Sequence, residues 1–482
     1  MPCGRESARE LIGRVAREFA ELPDGPAESS GPNGPLGWLD GSGVGDPRPA
    51  SAPAFPCEPD TSQPTHDGPL GWPGYGDQLA RATAQTGEHE SVVCGVADVG
   101  GVQAVVVAFE FGFLGGSLGT RTGARLEQAF THARDHRLPV VSLVATGGSR
   151  MQEGTPALLQ LSRIARQLTL TREAGLAHVS VLRDPTTGGG WATLGAGADV
   201  VLGLRGAQVG FAGSRVRPPG YSVTQQFAAG LVDQLLTSDE LPERLARWLR
   251  LLTTPGDDAP VPHALGLQDL PGSGWDAVLN ARTLGRPRAK TYLQAYFDWH
   301  EPVNGDRAGG VDPGVLCGFG HRDGRTVAYA AQCGTATRPA GFRTAARLVR
   351  LADRLGIPVL TLVDTPGAAN DAAAEKAGVG AAIAEMFTSV AAARVPVTTL
   401  VIGEGGSGGA LAFAAAERMW MTPDSYFAVI SPELATAILK RDPSQARQTA
   451  DELRLRPQDL VELGVARGIA QLDQSPDQAT AR

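Results

Sequence analysis

At 482 residues, with 42% hydrophobic and 20% charged side chains, the chain has room for two domains of ordinary size, each with its own core. A formal net charge of −8 argues against a general nucleic-acid binder. No apolar run approaches the ~18 residues of a membrane-spanning helix, so no membrane segment is expected.

Arg5, Arg9, Arg14 and Arg17 open the chain, but Glu6, Glu10, Glu18 and Glu21 break any transit-peptide pattern, and a signal-peptide apolar core is missing. Ala8, Leu11, Ile12, Val15, Ala16 and Phe19 recur at helical spacing, which predicts one amphipathic helix over residues 5–21. Residues 22–76 are rich in Pro, Gly, Ser and Asp without a sustained period, so 1–76 reads as a helix followed by an extended or disordered segment. Pro69-Leu70-Gly71-Trp72 echoes Pro35-Leu36-Gly37-Trp38, and Trp72 and Tyr75 are expected to dock onto the domain that follows.

That domain is placed at 77–252. Gln103–Phe111 reads as a strand and Gly115, Gly116 and Gly119 as a loop after it. Leu126–Arg134 reads as a helix, and Val140–Val144 as an apolar strand entering Gly147-Gly148. Leu158, Leu159, Leu161, Ile164, Ala165 and Leu168 make the next helix amphipathic. Val179–Leu182 is a further strand, leading to a turn at 188–190. Residues 253–274, with Pro255, Gly256, Pro260, Pro262, Pro271 and Gly272, form a linker. Trp275–Trp299 looks helical with an interruption at Pro287, the second domain spans 275–470, and 471–482 is a polar tail. Short buried strands alternating with helices give an α/β fold class of stacked β-β-α units. The cysteines Cys3, Cys57, Cys94, Cys317 and Cys333 form no CxxC; buried reduced thiols at Cys94 and Cys317 suit a cytoplasmic protein.

The second domain repeats the first. Leu316-Cys317-Gly318 echoes Val93-Cys94-Gly95, and Pro358–Gly367 echoes Pro139–Gly148. Pro396–Ile402 followed by Gly405-Gly406-Ser407-Gly408-Gly409 echoes His178–Leu182 followed by Gly188-Gly189-Gly190. A strand ending in glycines and entering a helix leaves unpaired amides at the helix start. Glycine lets a ligand approach them, and such amides stabilise an oxyanion or enolate. The competing reading is tight strand–helix packing. Gly147-Gly148 aligns with Pro366-Gly367, where proline has no N–H. The second copy's stronger candidate is therefore Gly408-Gly409, and two unequal anion holes are expected to meet at an interface between domains.

No P-loop, Rossmann context or metal-ligand spacing competes with this reading. Gly405-Gly406-Ser407-Gly408-Gly409 holds the letters of a nucleophile elbow, but His263, His300 and His321 are not convincingly placed as a base. Arg150, Gln152 and Glu153 either act on a ligand or cap and orient the helix after the turn.

These residues resemble the carboxyltransferase of acetyl-CoA carboxylase, in the crotonase/ClpP superfamily. The first half is similar to the beta-type subunit through Phe109-Glu110-Phe111, Gly115-Gly116-Ser117, Gly147–Glu153, Asp184–Gly189 and Gly210–Gly213. The second half is similar to the alpha-type subunit through Gly341-Phe342-Arg343, Asp364–Ala368, Ile402–Ala410 and Val429–Glu433. The resemblance covers roughly residues 70–470 and implies a beta–alpha fusion of two crotonase-like domains related by a pseudo-twofold. It implies transfer of a carboxyl group from carboxybiotin, held on a separate carrier protein, to the α-carbon of an acyl-CoA, with acetyl-CoA to malonyl-CoA as first choice. The biotin ureido group would take the α-proton and the enolate would attack released CO₂. On this reading Gly147 and Gly148 hold the thioester enolate, and Gly408 and Gly409 the biotin carbonyl. Gly115, Gly116, Arg150, Gly188, Gly189 and Gly367 line the substrate surface. The implied partners are a biotin carboxyl carrier protein, a biotin carboxylase and a second copy of the chain.

Three departures stand out. The beta-type four-cysteine zinc ribbon is replaced by a segment with only Cys3 and Cys57, so no zinc and no metal site are expected. The alpha-type basic insertion shrinks to Thr335-Ala336-Thr337-Arg338-Pro339, and the family's Tyr-Pro-Gly is Ala369-Asn370-Asp371. The last two changes lie near the expected substrate and biotin surfaces and leave the acyl group and the level of activity open, with fatty acid biosynthesis and extender-unit supply to polyketides both as expected roles. The alternatives are a biotin-linked decarboxylase of a malonyl-type thioester and a catalytically weakened subunit scaffold.

Overall fold

Val92–Val99 and Val102–Phe109 are apolar runs joined at Gly100-Gly101, and they pair as an antiparallel hairpin with Val92 opposite Phe109. The structure, a computed structural model, describes residues 6–23, 66–213 and 221–471. The expectations for most of the Pro/Gly-rich segment, including Pro35–Trp38, Cys3 and Cys57, and for the tail beyond residue 471 fall outside the described residues.

The hairpin sits in an eight-stranded sheet: β1 (Arg17–Glu21), β2 (Val92–Val99), β3 (Val102–Phe109), β4 (Val140–Thr146), β5 (His178–Thr187), β6 (Val200–Leu204), β7 (Val209–Gly210) and β8 (Gln234–Leu236). The order is β1-β2-β3-β4-β5-β6-β8, with β7 beside β5 and with β3 to β6 parallel. A second eight-stranded sheet holds β9 (Trp299–Val303), β10 (Val315–Arg322), β11 (Arg325–Gln332), β12 (Val359–Thr365), β13 (Val397–Gly406), β14 (Met419–Met421), β15 (Tyr426–Ala428) and β16 (Gly468–Ile469). Its order, β9-β10-β11-β12-β13-β14-β16 with β15 beside β13, repeats the first strand for strand. The fold is α/β, in two crotonase-like domains.

Around the first sheet lie α1 (Ala8–Val15), α2 (Tyr75–Thr86), α3 (Thr120–Asp135), α4 (Gly154–Glu173), α5 (Gly188–Gly190), α6 (Val223–Ala228) and α7 (Leu241–Thr253). Around the second lie α8 (Gly274–Arg282), α9 (Ala289–Tyr296), α10 (Pro339–Arg354), α11 (Ala372–Lys376), α12 (Val379–Ala392), α13 (Ser407–Leu411), α14 (Pro432–Ile438), α15 (Ala446–Glu452) and α16 (Pro457–Glu462). The repeat holds in length as well: α3 and α10 have 16 residues each, β4 and β12 have 7, and β5 and β13 have 10.

One apolar core runs through both domains, from Leu11 and Val93 to Phe342 and Met386. The amphipathic α7 lies at its centre, with Leu245, Trp248, Leu249 and Leu252 buried. Trp248 meets Phe319 of the second sheet edge to face, with ring centroids 6.1 Å apart. Buried ion pairs lock the same seam. Glu301 receives Arg244 at 2.7 Å and Arg247 at 2.7 Å, and Asp233 receives Arg347 at 3.0 Å. Burial would push the Asp233 carboxyl up, but Arg307, Arg347 and two backbone amides hold it below its ordinary range.

Three local expectations change. The helix predicted over 5–21 ends at Val15: a Ser7–Glu10 capping box starts it, and Ala16 turns extended at φ −138°. Residues 17–21 become β1 because the outer edge of β2 offers unpaired backbone, and Phe19 packs over the bare face of Gly95. Trp275–Trp299 divides into α8, α9 and the start of β9, with the break spanning Pro287. In α4 the inward face is Ala157, Gln160, Ile164, Gln167 and Leu168, whereas Leu158, Leu159 and Ala165 face outward. Cys94 and Cys317 are buried and in no disulfide, and burial pushes Cys317 up to about 12. No helix among the described residues is long and apolar enough to cross a membrane.

Candidate active site

At the end of β4 the chain turns through Gly147-Gly148, with Gly147 exposed and Gly148 buried. Gly147 N–H donates to Gly115 O at 2.9 Å, and Gly148 N–H donates to Thr146 Oγ1 at 3.0 Å. The strap from Gly115 to Gly119 runs alongside: Leu118 N–H donates to Gly148 O at 2.9 Å, and Arg150 N–H to Leu118 O at 2.9 Å. Gly116 is at φ +62°, and a Cβ there would lie 2.1 Å from Ala145 O, so only glycine admits this approach. The start of α5 faces the turn. A Cβ on Gly188 would lie 3.2 Å from the Gly148 Cα, and Gly188 N–H donates to Phe211 O at 3.0 Å. The Gly189 N–H follows, at a helix position that precedes any intrahelical acceptor.

The second domain repeats this geometry. Gly367 N–H donates to Thr365 Oγ1 at 3.1 Å, Thr337 N–H to Gly367 O at 3.0 Å, and Ala369 N–H to Thr337 O at 2.9 Å. Helix α13 starts at Ser407, exposed and at φ +56°, where the first domain has Gly188 at φ +61°. Gly408 and Gly409 thus stand where Gly189 and Gly190 stand. A Cβ on Gly408 would meet no heavy atom within 4 Å, so a carbonyl oxygen has room to approach the first-turn amides. The Pro366 substitution removes less than the sequence suggests. Its counterpart, the Gly147 N–H, is already engaged by Gly115 O, so neither copy offers a free donor at that place.

Two buried charge clusters support the turns. Arg150 is 1% exposed; it bonds Glu90 and Glu153, and its guanidinium touches no solvent-facing surface. It cannot line the substrate surface with its side chain, because the carboxylates, Ser117 and Tyr75 enclose it. Under the second turn, Asp364 is fully buried and pairs with Arg286 at 2.5 Å and Arg288 at 3.3 Å. Burial pushes its carboxyl up against the pull of both arginines. The Asp364 carboxylate also accepts Glu404 N–H at 3.2 Å, which ties β12 to the strand that enters α13.

Gly115, Gly116, Gly147, Gly148, Gly188 and Gly189 come together in the first domain, and Gly367, Gly408 and Gly409 in the second. Every near neighbour of each set belongs to its own domain, so each turn is built by its own domain. Large apolar side chains are exposed in both domains: Met151, Leu158, Leu159 and Phe211 in the first, Leu411, Val429, Leu434 and Ile438 in the second. Of the two aromatics expected to dock, Tyr75 is buried against Glu153 at 2.6 Å, while Trp72 remains exposed. His300 and His321 engage Tyr329 and Asp298, each at 3.0 Å, and no contact joins a histidine to Ser407 among the described residues. The sequence reading missed Thr146 and Thr365, whose hydroxyls hold the turn amides. The repeated Thr-x-Gly of Thr146-Gly147-Gly148 and Thr365-Pro366-Gly367 was the available signal. Among the described residues no group of three or more His, Cys, Asp or Glu side chains is arranged to hold a metal ion.

A family model described as a carboxyl transferase domain matches residues 72–226, so the first domain has the carboxyl transferase architecture. A second, described as acetyl co-enzyme A carboxylase carboxyltransferase-like, matches residues 272–474. The acetyl-coenzyme A carboxylase carboxyl transferase subunits beta/alpha of Saccharopolyspora erythraea is 39% identical over 420 residues, covering 82% of this chain and 74% of that one. The protein of the same name from Salinispora arenicola is 40% identical over 427 residues, covering 81% and 75%. The chain belongs to the carboxyl transferase family of the biotin-dependent acyl-CoA carboxylases. A probable biotin-dependent acyl-coenzyme A carboxylase beta3 subunit of Mycobacterium bovis is also similar, at 33% over 413 residues, covering 81% and 82%. Among solved structures, transcarboxylase 12S superposes with a TM-score of 0.72 at 18% identity, over 97% of this chain and 87% of that one. A single-chain, multi-domain long-chain acyl-CoA carboxylase gives 0.71 at 17%, over 97% and 45%. At those identities the likeness speaks to the fold.

Proposed function

We propose that the chain transfers a carboxyl group from carboxybiotin on a separate carrier protein to an acyl-CoA, with acetyl-CoA as the first substrate and malonyl-CoA as product. The observation that carries this reading is the duplicated turn: each copy braces a glycine turn with a threonine hydroxyl and sets beside it the first-turn amides of a short helix, α5 or α13, as a reaction with two oxygens gaining charge requires. Bound carboxybiotin would supply the carboxyl group and the acceptor for the α-proton. The chain's own part is to hold oxygens. The first-domain turn, Gly147 and Gly148 with Gly188 and Gly189 facing them, is assigned to the thioester oxygen; the amides of Gly147, Gly148 and Gly188 are engaged within the turn, so the donor assigned to that oxygen is the Gly189 N–H at the start of α5. Gly408 and Gly409, with Gly367 beside them, are assigned to the ureido carbonyl, and the open space at Gly408 fits that group.

Each turn is built by its own domain, and each domain leaves large apolar side chains exposed. We infer a homodimer or higher assembly in which the first-domain turn of one protomer faces the second-domain turn of its partner. The purified chain, supplied with carboxylated carrier and a panel of acyl-CoAs, is expected to carboxylate acetyl-CoA. Failure to carboxylate any acyl-CoA, with correct folding shown, overturns the proposal. Running the assay from malonyl-CoA reads the reverse direction.

A further inference from the structure

The first turn carries an ionic cluster centred on one of its own residues, Arg150, whereas the second turn's cluster, Asp364 with Arg286 and Arg288, lies beneath the strands that enter it. Arg150 forms hydrogen bonds with Glu90 at 3.1 Å, Glu153 at 3.0 Å and Tyr75 at 3.2 Å. It also donates to Ser117 Oγ at 3.1 Å and Ser117 O at 2.9 Å. Glu153 in turn accepts the Thr120 N–H at 2.6 Å and the Thr120 hydroxyl at 2.8 Å. Both residues lie at or beside the Gly115–Gly119 strap. The corresponding position in the second domain is Ala369, buried and uncharged.

The backbone lattice around the two turns is nevertheless the same. Leu118 and Arg150 bond the first turn as Thr337 and Ala369 bond the second. The second turn therefore closes the same backbone lattice with an alanine at the Arg150 position, so closing that lattice does not by itself require Arg150. Nor does stability: a buried cluster of charges adds little over well-packed apolar residues, because desolvation offsets the attraction. What the cluster adds is position. A guanidinium presents its donors in a rigid plane, and here that plane grips Ser117, two residues after Gly115, whose carbonyl holds the Gly147 N–H.

We propose that Arg150 is a positioning residue for the transfer reaction: it clamps the Gly115–Gly119 strap against the Gly147-Gly148 turn and so fixes the wall of the first hole beside the Gly189 N–H. The inference rests on the carboxyltransferase reading for its consequence in turnover, but the clamp itself is a structural claim. Glycine at 119 is part of the same arrangement. A Cβ there would lie 2.5 Å from both Arg150 Nη1 and Glu153 Oε1.

The test uses the full chain and two variants. Arg150→Met combined with Glu90→Gln removes the clamp without leaving that carboxylate unpaired, and Gly119→Ala pushes a methyl into the cluster from outside. Amide exchange over residues 113–119 and 147–149 is measured beside the kcat and KM for acyl-CoA. The expected result is faster exchange in both segments, a melting transition that stays cooperative, and kcat at least about tenfold lower with KM little changed. Unchanged exchange in the folded variants overturns the clamp, whatever the activity. Faster exchange with unchanged kcat overturns its role in turnover. Wild-type chain inactive towards every acyl-CoA overturns the carboxyltransferase reading instead, while the exchange data still decide the clamp.

Discussion

Gly188 and Ser407 occupy the same place in the two domains, and both backbones are left-handed, at φ +61° and +56°. In the first copy glycine takes this conformation without a Cβ. In the second a serine side chain bears the steric strain, of order 1–2 kcal/mol, immediately before Gly408.

Ser407→Gly is therefore expected to stabilise the protein, by up to about 1 kcal/mol after the greater chain entropy of glycine is allowed for. Thermal or urea unfolding measures it. A clear loss of stability would mean that the exposed Ser407 side chain has a stabilising contact that offsets the strain.

Gly408 and Gly409 separate packing from chemistry. A Cβ on Gly409 would lie 2.3 Å from Ala368 N and 2.8 Å from Gly367 C, both backbone. Gly409→Ala should cost about 1–3 kcal/mol of stability. Gly408→Ala meets open space and should leave the melting temperature unchanged, while lowering kcat by crowding the ligand. Full activity in a normally folded Gly408→Ala chain would remove Gly408 from the site.

If the turns of one site come from different protomers, two inactive chains should rescue each other. Gly148→Val and Gly408→Val are each expected to be inactive as homodimers. Co-expressed, they should regain activity, since a mixed dimer holds one site with both turns intact. Light scattering gives the mass, and absence of rescue in mixed dimers would place both turns of a site in the same chain.

His178 predicts acid sensitivity. It is buried, its ring bonds Ser142 Oγ at 2.8 Å, and Asp199, Arg172 and Arg354 stand around it. Burial lowers its pKa from 6.5 to about 4. Between those values the unfolded chain binds the proton and the folded one does not, so stability falls as pH falls through 6.5 towards 4, by about 1.4 kcal/mol per unit. Urea unfolding from pH 7.5 to 5 should show this slope, and His178→Gln should flatten it. An unchanged slope in the variant would assign the acid sensitivity to other groups.

Much was already written along the chain. Apolar runs such as Val140–Val144 and Pro358–Val363 determined the sheets, because a strand buried on both faces needs an unbroken β-branched and aliphatic run. The glycine pairs marked where those strands end, and their repetition showed the duplication. Local signals also misled where a partner far along the chain decided the outcome. Residues 17–21 have helical spacing, yet the open edge of β2 recruits them as β1.

The state of each donor belonged to the tertiary structure. Which amide is engaged depends on acceptors that the sequence places elsewhere: Gly115 for Gly147 and Phe211 for Gly188, whereas Thr146 for Gly148 lies close by. Arg150 is similar. Its motif Gly147–Glu153 was legible, but its burial required Glu90 and Tyr75, some sixty and seventy-five residues away, to converge on one guanidinium. Periodicity and glycine placement act over a few residues, so sequence alone determined the elements and their repeat. Hydrogen-bond satisfaction and charge pairing act through space, so only the folded chain decided which glycine amides stay unpaired and which charges merely hold them in place.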